Sequence, residues 1–207
     1  RGHFKEDGWN PVDFRDVHHG WIEDVAFVGV DSGPYVPGSH VTVRRVLLDA
    51  GRPVGPGGFV GHHGVTFAGQ AHRLEEFEFK ARFHHDVSFS PWTNGNVVRA
   101  GVGVDLTLDF HKQGPFANLV TNLVSANGAN FFACGGGEDL GLDAGAWNIF
   151  WNLKGRKGVG FKRKGLKEKI GGRCCSHGVN GSADSLVNPH HQPHSWARFA
   201  RKGELGS

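Results

Sequence analysis

The stretches GHHGVTF (61–67) and FHHDVSF (83–89) each carry a histidine pair, one spacer and a β-type run ending in Phe, 22 residues apart. Imidazole changes charge near neutrality. His62 and His84, in the same phase of the two stretches, are therefore candidates for a general base or for binding a sugar hydroxyl. Asp86 closes the second pair, and DLTLDFHKQGPFANL (105–119) adds Asp105, Asp109, His111 and Lys112. Aligning the β-type triplets on their first residues gives Asp86 and Asp105 the same phase. In laterally paired strands two such carboxylates stand about 5 Å apart. They cannot both ionise freely, so one pKa is expected to rise. That spacing suits the acid and nucleophile of a retaining glycosidase. It equally suits two oxygen ligands of Ca²⁺, and both readings stay open. Asp109, about 13 Å along the strand from Asp105 at roughly 3.3 Å per residue, serves another subsite. His111 follows it into a turn as a further candidate for binding substrate. Lys112, Arg82 and Arg99 are candidates for neutralising a substrate carboxylate, which lyase chemistry on uronates needs beside a base. His63 and His85 fall on the inward parity next to a turn and read as structural.

These residues must be positioned by short strands. β-type triplets begin at Val12, Pro34, Val65, Val87 and Leu106, with Phe131 last, at gaps of 22, 31, 22, 19 and 25 residues. Within each unit a second, alternating run follows: 22–28, 41–48, 74–79, 96–102, 119–124 and 146–153. Turn formers such as HHG, GSH, TNGN, QGPFAN and SANGAN separate them. Two or three short strands per unit of 20–25 residues, in constant phase, predict an all-β parallel β-helix, a solenoid of about six coils. The longest gap is absorbed by a loop at 51–61. Trp147 and Trp151, four apart on one strand face, read as core.

Composition agrees with many turns and a packed interior: 33 Gly, 16 Phe and 6 Trp in 207 residues. The charge is split. Residues 1–153 hold 11 Lys and Arg against 17 Asp and Glu, a net −6, whereas 154–207 hold 12 against 3, a net +9. The division predicts a strand-rich domain over 1–153 and a basic, irregular Gly/Ser/His-rich tail over 154–207. The basic run 154–173 is the single hint of nucleic acid, and it lacks interleaved aromatics, so such a partner is disfavoured. No apolar run reaches the roughly 18 residues of a membrane helix. The three cysteines, Cys134, Cys174 and Cys175, have no CxxC spacing and form no disulfide framework. CGGGEDLGLDAGAW (134–147) lacks the phosphate-loop pattern. It offers at most a Ca²⁺-binding turn through Glu138, Asp139 and Asp143. The absence of Met, even at position 1, reads as a processed product or a piece of a longer solenoid.

The series GHHGVTF, FEFKARFHHDVSF, NGNVVRAGVGVDLTLDFHKQGPFANLVTNL and GGGEDLGLDAGAWNIFWNLKG resembles a family of pectin-lyase-like right-handed β-helix proteins over residues 3–155. The resemblance implies a right-handed β-helix, extracellular or at the cell surface, acting on or associated with polysaccharide. Its pattern falls on His62, His63, His85, Asp86, Asp105, Asp109, His111, Lys112 and Gly135, Gly136 and Gly137. Departures occur at Phe110, Lys112 and Asp143, where the pattern has His, Arg and His. The expected function is therefore a polysaccharide lyase or glycoside hydrolase on an acidic polysaccharide, with Ca²⁺ as the candidate cofactor. The alternative is a non-catalytic carbohydrate-binding or structural solenoid.

Overall fold

A computed structural model describes residues 10–128, 130–132, 135–136, 138–140, 144, 147–156 and 185–187. The three cysteines, Gly137, Asp143 and nearly all of the basic segment lie outside the described residues.

The described chain is all-β, and its strands pair almost entirely in parallel. The larger sheet runs β1 (Trp21–Val28), β3 (Thr42–Asp49), β5 (Arg73–Glu75), β8 (Val97–Gly103), β10 (Leu119–Ser125), β11 (Ile149–Gly155). The short β6 (Glu78–Phe79) also pairs with β3 and β8, and β12 (Ser185–Val187) adds antiparallel to β11. The smaller sheet runs β2 (Tyr35–Val36), β4 (Gly61–Phe67), β7 (Phe83–Phe89), β9 (Leu108–Phe110). From β1 to β10 the chain passes alternately between the two sheets. Each segment therefore pairs with the one a unit away in sequence, as in His63 opposite His85 and Leu119 opposite Val97. A row of single parallel bridges, His18–Ser39–Gln70–Asn94–Phe116, runs between the sheets.

Most predicted second-strand runs match observed strands to within a residue or two; the last begins at Ile149 rather than 146. The triplets fare less evenly. Of 12–14 only Asp13 pairs, as a bridge to Tyr35, and 130–132 form a turn rather than a strand. The HHG of 62–64 lies inside β4, not in a turn. Trp147 is 65% exposed, against the expectation of core, because it sits in the turn before β11 with φ of +60°.

The core lies between the sheets and is built of phenylalanine, valine and leucine. Phe67, Phe89, Phe110 and Phe150 are fully buried, and each ring contacts the next. Phe89 stacks on Phe110 at 4.4 Å, and Phe110 meets Phe150 edge-on at 5.4 Å. Such pairs add about 0.5–1.5 kcal/mol each beyond the area they bury. Close packing also dictates two glycines. A Cβ on Gly101 would stand 2.0 Å from the Phe77 ring, and one on Gly64 would stand 2.2 Å from both the Phe79 ring and the Asp86 carbonyl oxygen.

Two backbone devices repeat along the stack. First, the larger sheet bends at one left-handed residue per unit: Asp24, Arg45, Glu76, Ala100, Asn122 and Asn152 all have φ between +50° and +57°. The pairing register skips these positions. Second, buried amides form a row in which each side chain accepts the backbone N–H of its counterpart one unit earlier. Asn148 Oδ1 accepts from Asn118 N, Asn118 Oδ1 from Asn96 N, and Asn96 Oδ1 from His72 N, at 2.8–3.0 Å. His72 continues the row by accepting the Val41 N–H through Nδ1 at 3.2 Å. Burial drives the His72 pKa down to about 4, which keeps the ring neutral and able to accept.

Replacing Asn118 with Ala strands the Asn96 N–H and Nδ2 donors and removes the Nδ2 donor to Asn148. At about 1–3 kcal/mol per buried unsatisfied group, Asn118→Ala is expected to cost at least about 2 kcal/mol in urea unfolding. Ala100→Gly removes the left-handed penalty of roughly 1–2 kcal/mol at a chain-entropy cost of about half that. It is expected to raise the urea midpoint, and an unchanged or lowered midpoint contradicts the bend.

Candidate functional site

The two histidine pairs meet because β4 and β7 pair in parallel with His63 opposite His85. Strict alternation would separate the members of each pair. Instead His62 and His63 have ring centroids 3.8 Å apart, and His84 and His85 4.2 Å, so both rings of each pair project to the same side. Alternation breaks again one step on. Asp86 and Val87 are both buried, while Ser88 returns to the imidazole side, where its Oγ lies 2.9 Å from His63 Nδ1. The parity assigned to His63 and His85 from sequence is thereby corrected: they project to the same side as His62 and His84. His62, His63, His84, His85 and His111 form one patch, with neighbouring centroids 3.8–6.1 Å apart. All but His85 are half-buried; His85 is 3% exposed.

The carboxylate that reaches this patch is Asp109. β7 and β9 pair with Val87 opposite Leu108 and Ser88 opposite Asp109. The gap across this pair is 21 residues, whereas triplet alignment put it at 19. The slip of two preserves side-chain parity but exchanges partners: Asp86 lies against Thr107, not Asp105. Asp109, expected to serve a remote subsite, comes to the centre. It is fully buried. Its Oδ1 accepts the Gly135 N–H at 2.6 Å, and its Oδ2 lies 2.9 Å from His111 Nδ1 and 3.6 Å from His85 Nδ1. Burial pushes the Asp109 pKa up. The His111 bond, the neighbouring imidazoles and the Gly135 N–H together outweigh it and hold the carboxyl below its ordinary value. His85 goes the other way: burial depresses its pKa far more than Asp109 restores it, so the ring stays neutral.

Asp86 has a different surrounding. Its Oδ1 accepts the Phe83 N–H at 3.1 Å, and its Oδ2 accepts the Thr107 N–H at 2.8 Å and the Thr107 hydroxyl at 3.1 Å. It is 1% exposed. Burial pushes its pKa up to about 7, against the pull of those three donors, and the charge of Asp105 adds a smaller push. The expected rise of one carboxyl is present, but desolvation causes it rather than a shared rung. Asp105 is held elsewhere, by Asn130 Nδ2 at 2.6 Å and beside Arg82 Nε at 3.3 Å. In this register Asp86 and Asp105 do not stand opposite one another, and each carboxyl has its own partners.

The candidate cations are placed apart from the patch centre or committed. Arg99 lies on β8 of the larger sheet and bonds Glu75 at 2.6 Å. The Arg82 guanidinium sits 5.0 Å over the Phe59 ring. Phe59 also receives the His84 ring edge-on at 4.9 Å, so the 51–61 loop borders the patch. Lys112 is 6% exposed with φ of +63°, and the 135–136 backbone packs against it so closely that a Cβ on Gly136 would stand 2.3 Å from Lys112 Cγ. Two of the three glycines in the GGG run thus abut Lys112 or donate to Asp109.

Parity in the sequence read His63 and His85 as structural, although the pattern of the resemblance falls on both. The signal was present in the doubling itself, since a purely structural corner needs only one polar residue per unit. No family model, curated protein or solved structure matches the chain.

Asp86 carries a pH-dependent contribution to stability. Its folded pKa of about 7 exceeds the unfolded value near 3.9, so the fold favours the protonated form. The contribution is complete below about pH 4 and is lost as pH rises through about 7. Relative to Asp86→Asn, the wild type is expected to lose up to roughly 4 kcal/mol between about pH 4 and pH 8. Urea unfolding at the two pH values measures this, and a pH-independent difference contradicts it.

Proposed function

We propose that the chain winds as a right-handed parallel β-helix of about six coils and cleaves an acidic polysaccharide, outside the cell or at its surface, by β-elimination on the imidazole face. The winding is supported by the alternation of the chain between two parallel sheets and by the constant phase of the bends and the amide row. The observation that carries the functional reading is the patch of five imidazoles that reaches the buried Asp109 through His85 and His111.

β-Elimination at a uronate needs a base to take the proton next to the carboxylate and positive charge to stabilise the carbanion-like transition state. The C–O bond to the leaving sugar then breaks, a C=C bond forms in the retained ring, and the leaving oxygen takes a proton. His63 is assigned the base. Its Nδ1 is engaged by Ser88 Oγ at 2.9 Å, which directs Nε2 to the reaction. The sector of Asp109, His85 and His111 faces the substrate carboxylate and needs added positive charge to receive it, because Asp109 is ionised and His85 neutral; His62 and His84 line the approach beside Phe59. A retaining hydrolase is less well supported, because Asp86 and Asp105 do not stand opposite one another and Asp86 is sealed by its three donors.

The test is a panel of uronate-containing polysaccharides, followed by the ultraviolet absorbance of the unsaturated product. Elimination is expected, with His63→Gln lowering kcat by about 10²–10⁴, the usual contribution of a general base. New reducing ends without the absorbance support a hydrolase instead. Binding without cleavage supports the carbohydrate-binding solenoid, and either result overturns the lyase reading.

A further inference from the structure

We infer that His85, Asp109 and His111 form a binding site for a divalent first-row transition ion of the zinc class. Binding stands on the geometry alone, whereas the ion's role as the clamp for a substrate carboxylate rests on the proposed function.

One ligand atom from each of the three residues lies within 4.8 Å of the others. Asp109 Oδ2 is 2.9 Å from His111 Nδ1 and 3.6 Å from His85 Nδ1. At zinc–ligand lengths of about 2.0–2.1 Å these separations subtend roughly 90° and 120° at a shared ion, which brackets the tetrahedral angle. The ion would replace the proton now shared between His111 and Asp109 with little movement of either side chain. Two imidazoles and one carboxylate match the donor preference of zinc, copper, iron or nickel. Ca²⁺ demands six to eight oxygens, and one carboxylate beside two rings does not supply them.

Outer contacts fix the ligands as metal sites usually require. The Gly135 N–H holds Asp109 Oδ1 at 2.6 Å, leaving Oδ2 turned toward the rings. A Cβ on Gly135 would stand 3.1 Å from ring atoms of both His85 and His111, so the glycine lets the backbone close over both ligands. Three protein ligands are the complement of a catalytic rather than a structural zinc site, in which a further position takes water or substrate. The charges also fit. A divalent ion with one carboxylate leaves a net positive centre, while the candidate arginines Arg99 and Arg82 are directed to Glu75 and Asp105.

The experiment uses the full chain, stripped with a chelator and titrated with Zn²⁺ by calorimetry. Separately, Co²⁺ is added and its visible ligand-field spectrum recorded. Histidines elsewhere in the chain supply a background, so the comparison is with variants. His111→Ala and Asp109→Asn are each expected to weaken zinc binding by more than the roughly 10–100-fold that loss of an outer-shell partner costs. His18→Ala and His40→Ala are expected to leave it unchanged. A four- or five-coordinate Co²⁺ spectrum on the wild-type chain supports the site even if a variant fails to fold. Zinc uptake that is absent, or equal in wild type and both site variants, overturns it, as does displacement of zinc by equimolar Ca²⁺. Zinc uptake at this site without cleavage of any uronate polymer upholds the ion and defeats the elimination reading. Cleavage undiminished after chelation defeats the clamp.

Discussion

Parallel pairing between segments one unit apart is the constraint from which the rest of this structure follows. A strand in either sheet cannot satisfy its own N–H and C=O groups and takes partners from the preceding and following units. Whatever occupies a given phase in one unit must therefore stand beside its counterpart in the next, about 4.8 Å away. Phenylalanine tolerates this, since stacked and edge-on rings gain contact. Asparagine tolerates it too, because its amide both donates and accepts, so Asn96, Asn118 and Asn148 bond to one another while each accepts a backbone N–H. Ionised carboxylates do not tolerate it. Ser88 rather than a second acid lies opposite Asp109, and Thr107 opposite Asp86.

The contrast between those two aspartates shows how surroundings assign roles to like residues. Both are almost wholly buried, so desolvation raises both pKa values. Asp86 receives only neutral donors from Phe83 and Thr107, and burial wins. Asp109 receives a backbone N–H and stands among imidazoles, and burial loses. One carboxyl therefore titrates near neutrality inside the core and knits β7 to the 107 backbone. The other holds its charge at the edge of an open patch, where it can orient rings or share an ion. Burial is common to both, and the imidazoles beside Asp109 are what separate it from Asp86.

Much of this architecture can be read from residues alone, because β-branched and aromatic triplets bounded by glycine mark strands wherever they occur. The runs that became β1, β3, β8 and β10 are visible in that way, as is the lateral match of the two histidine pairs. The step from β7 to β9 is not. Leu106, Leu108 and Phe110 alternate equally well in two registers two residues apart, and only the pairing itself selects Leu108 opposite Val87. Periodicity also cannot reveal where alternation breaks. The same-side projection of His84 and His85 depends on Asp86 being drawn inward by Phe83 and Thr107. Nor does propensity foretell the left-handed bends at Glu76 or Ala100, since neither residue favours that conformation and the sheet imposes it. The consequence for the patch is concrete: Asp109 rather than Asp105 stands beside it, and His63 and His85 share a face with His62 and His84.

The central claim is that Asp109 organises His85 and His111 into one unit, and the imidazole nitrogens report on it directly. The ring ¹⁵N resonances of the histidines can be compared between the wild-type chain and Asp109→Asn in the absence of added metal. The account predicts that the signals of His85 and His111 shift, as the carboxylate that sets their tautomers is lost, while those of His18, His19 and His40 stay in place. Unmoved His85 and His111 resonances would contradict it.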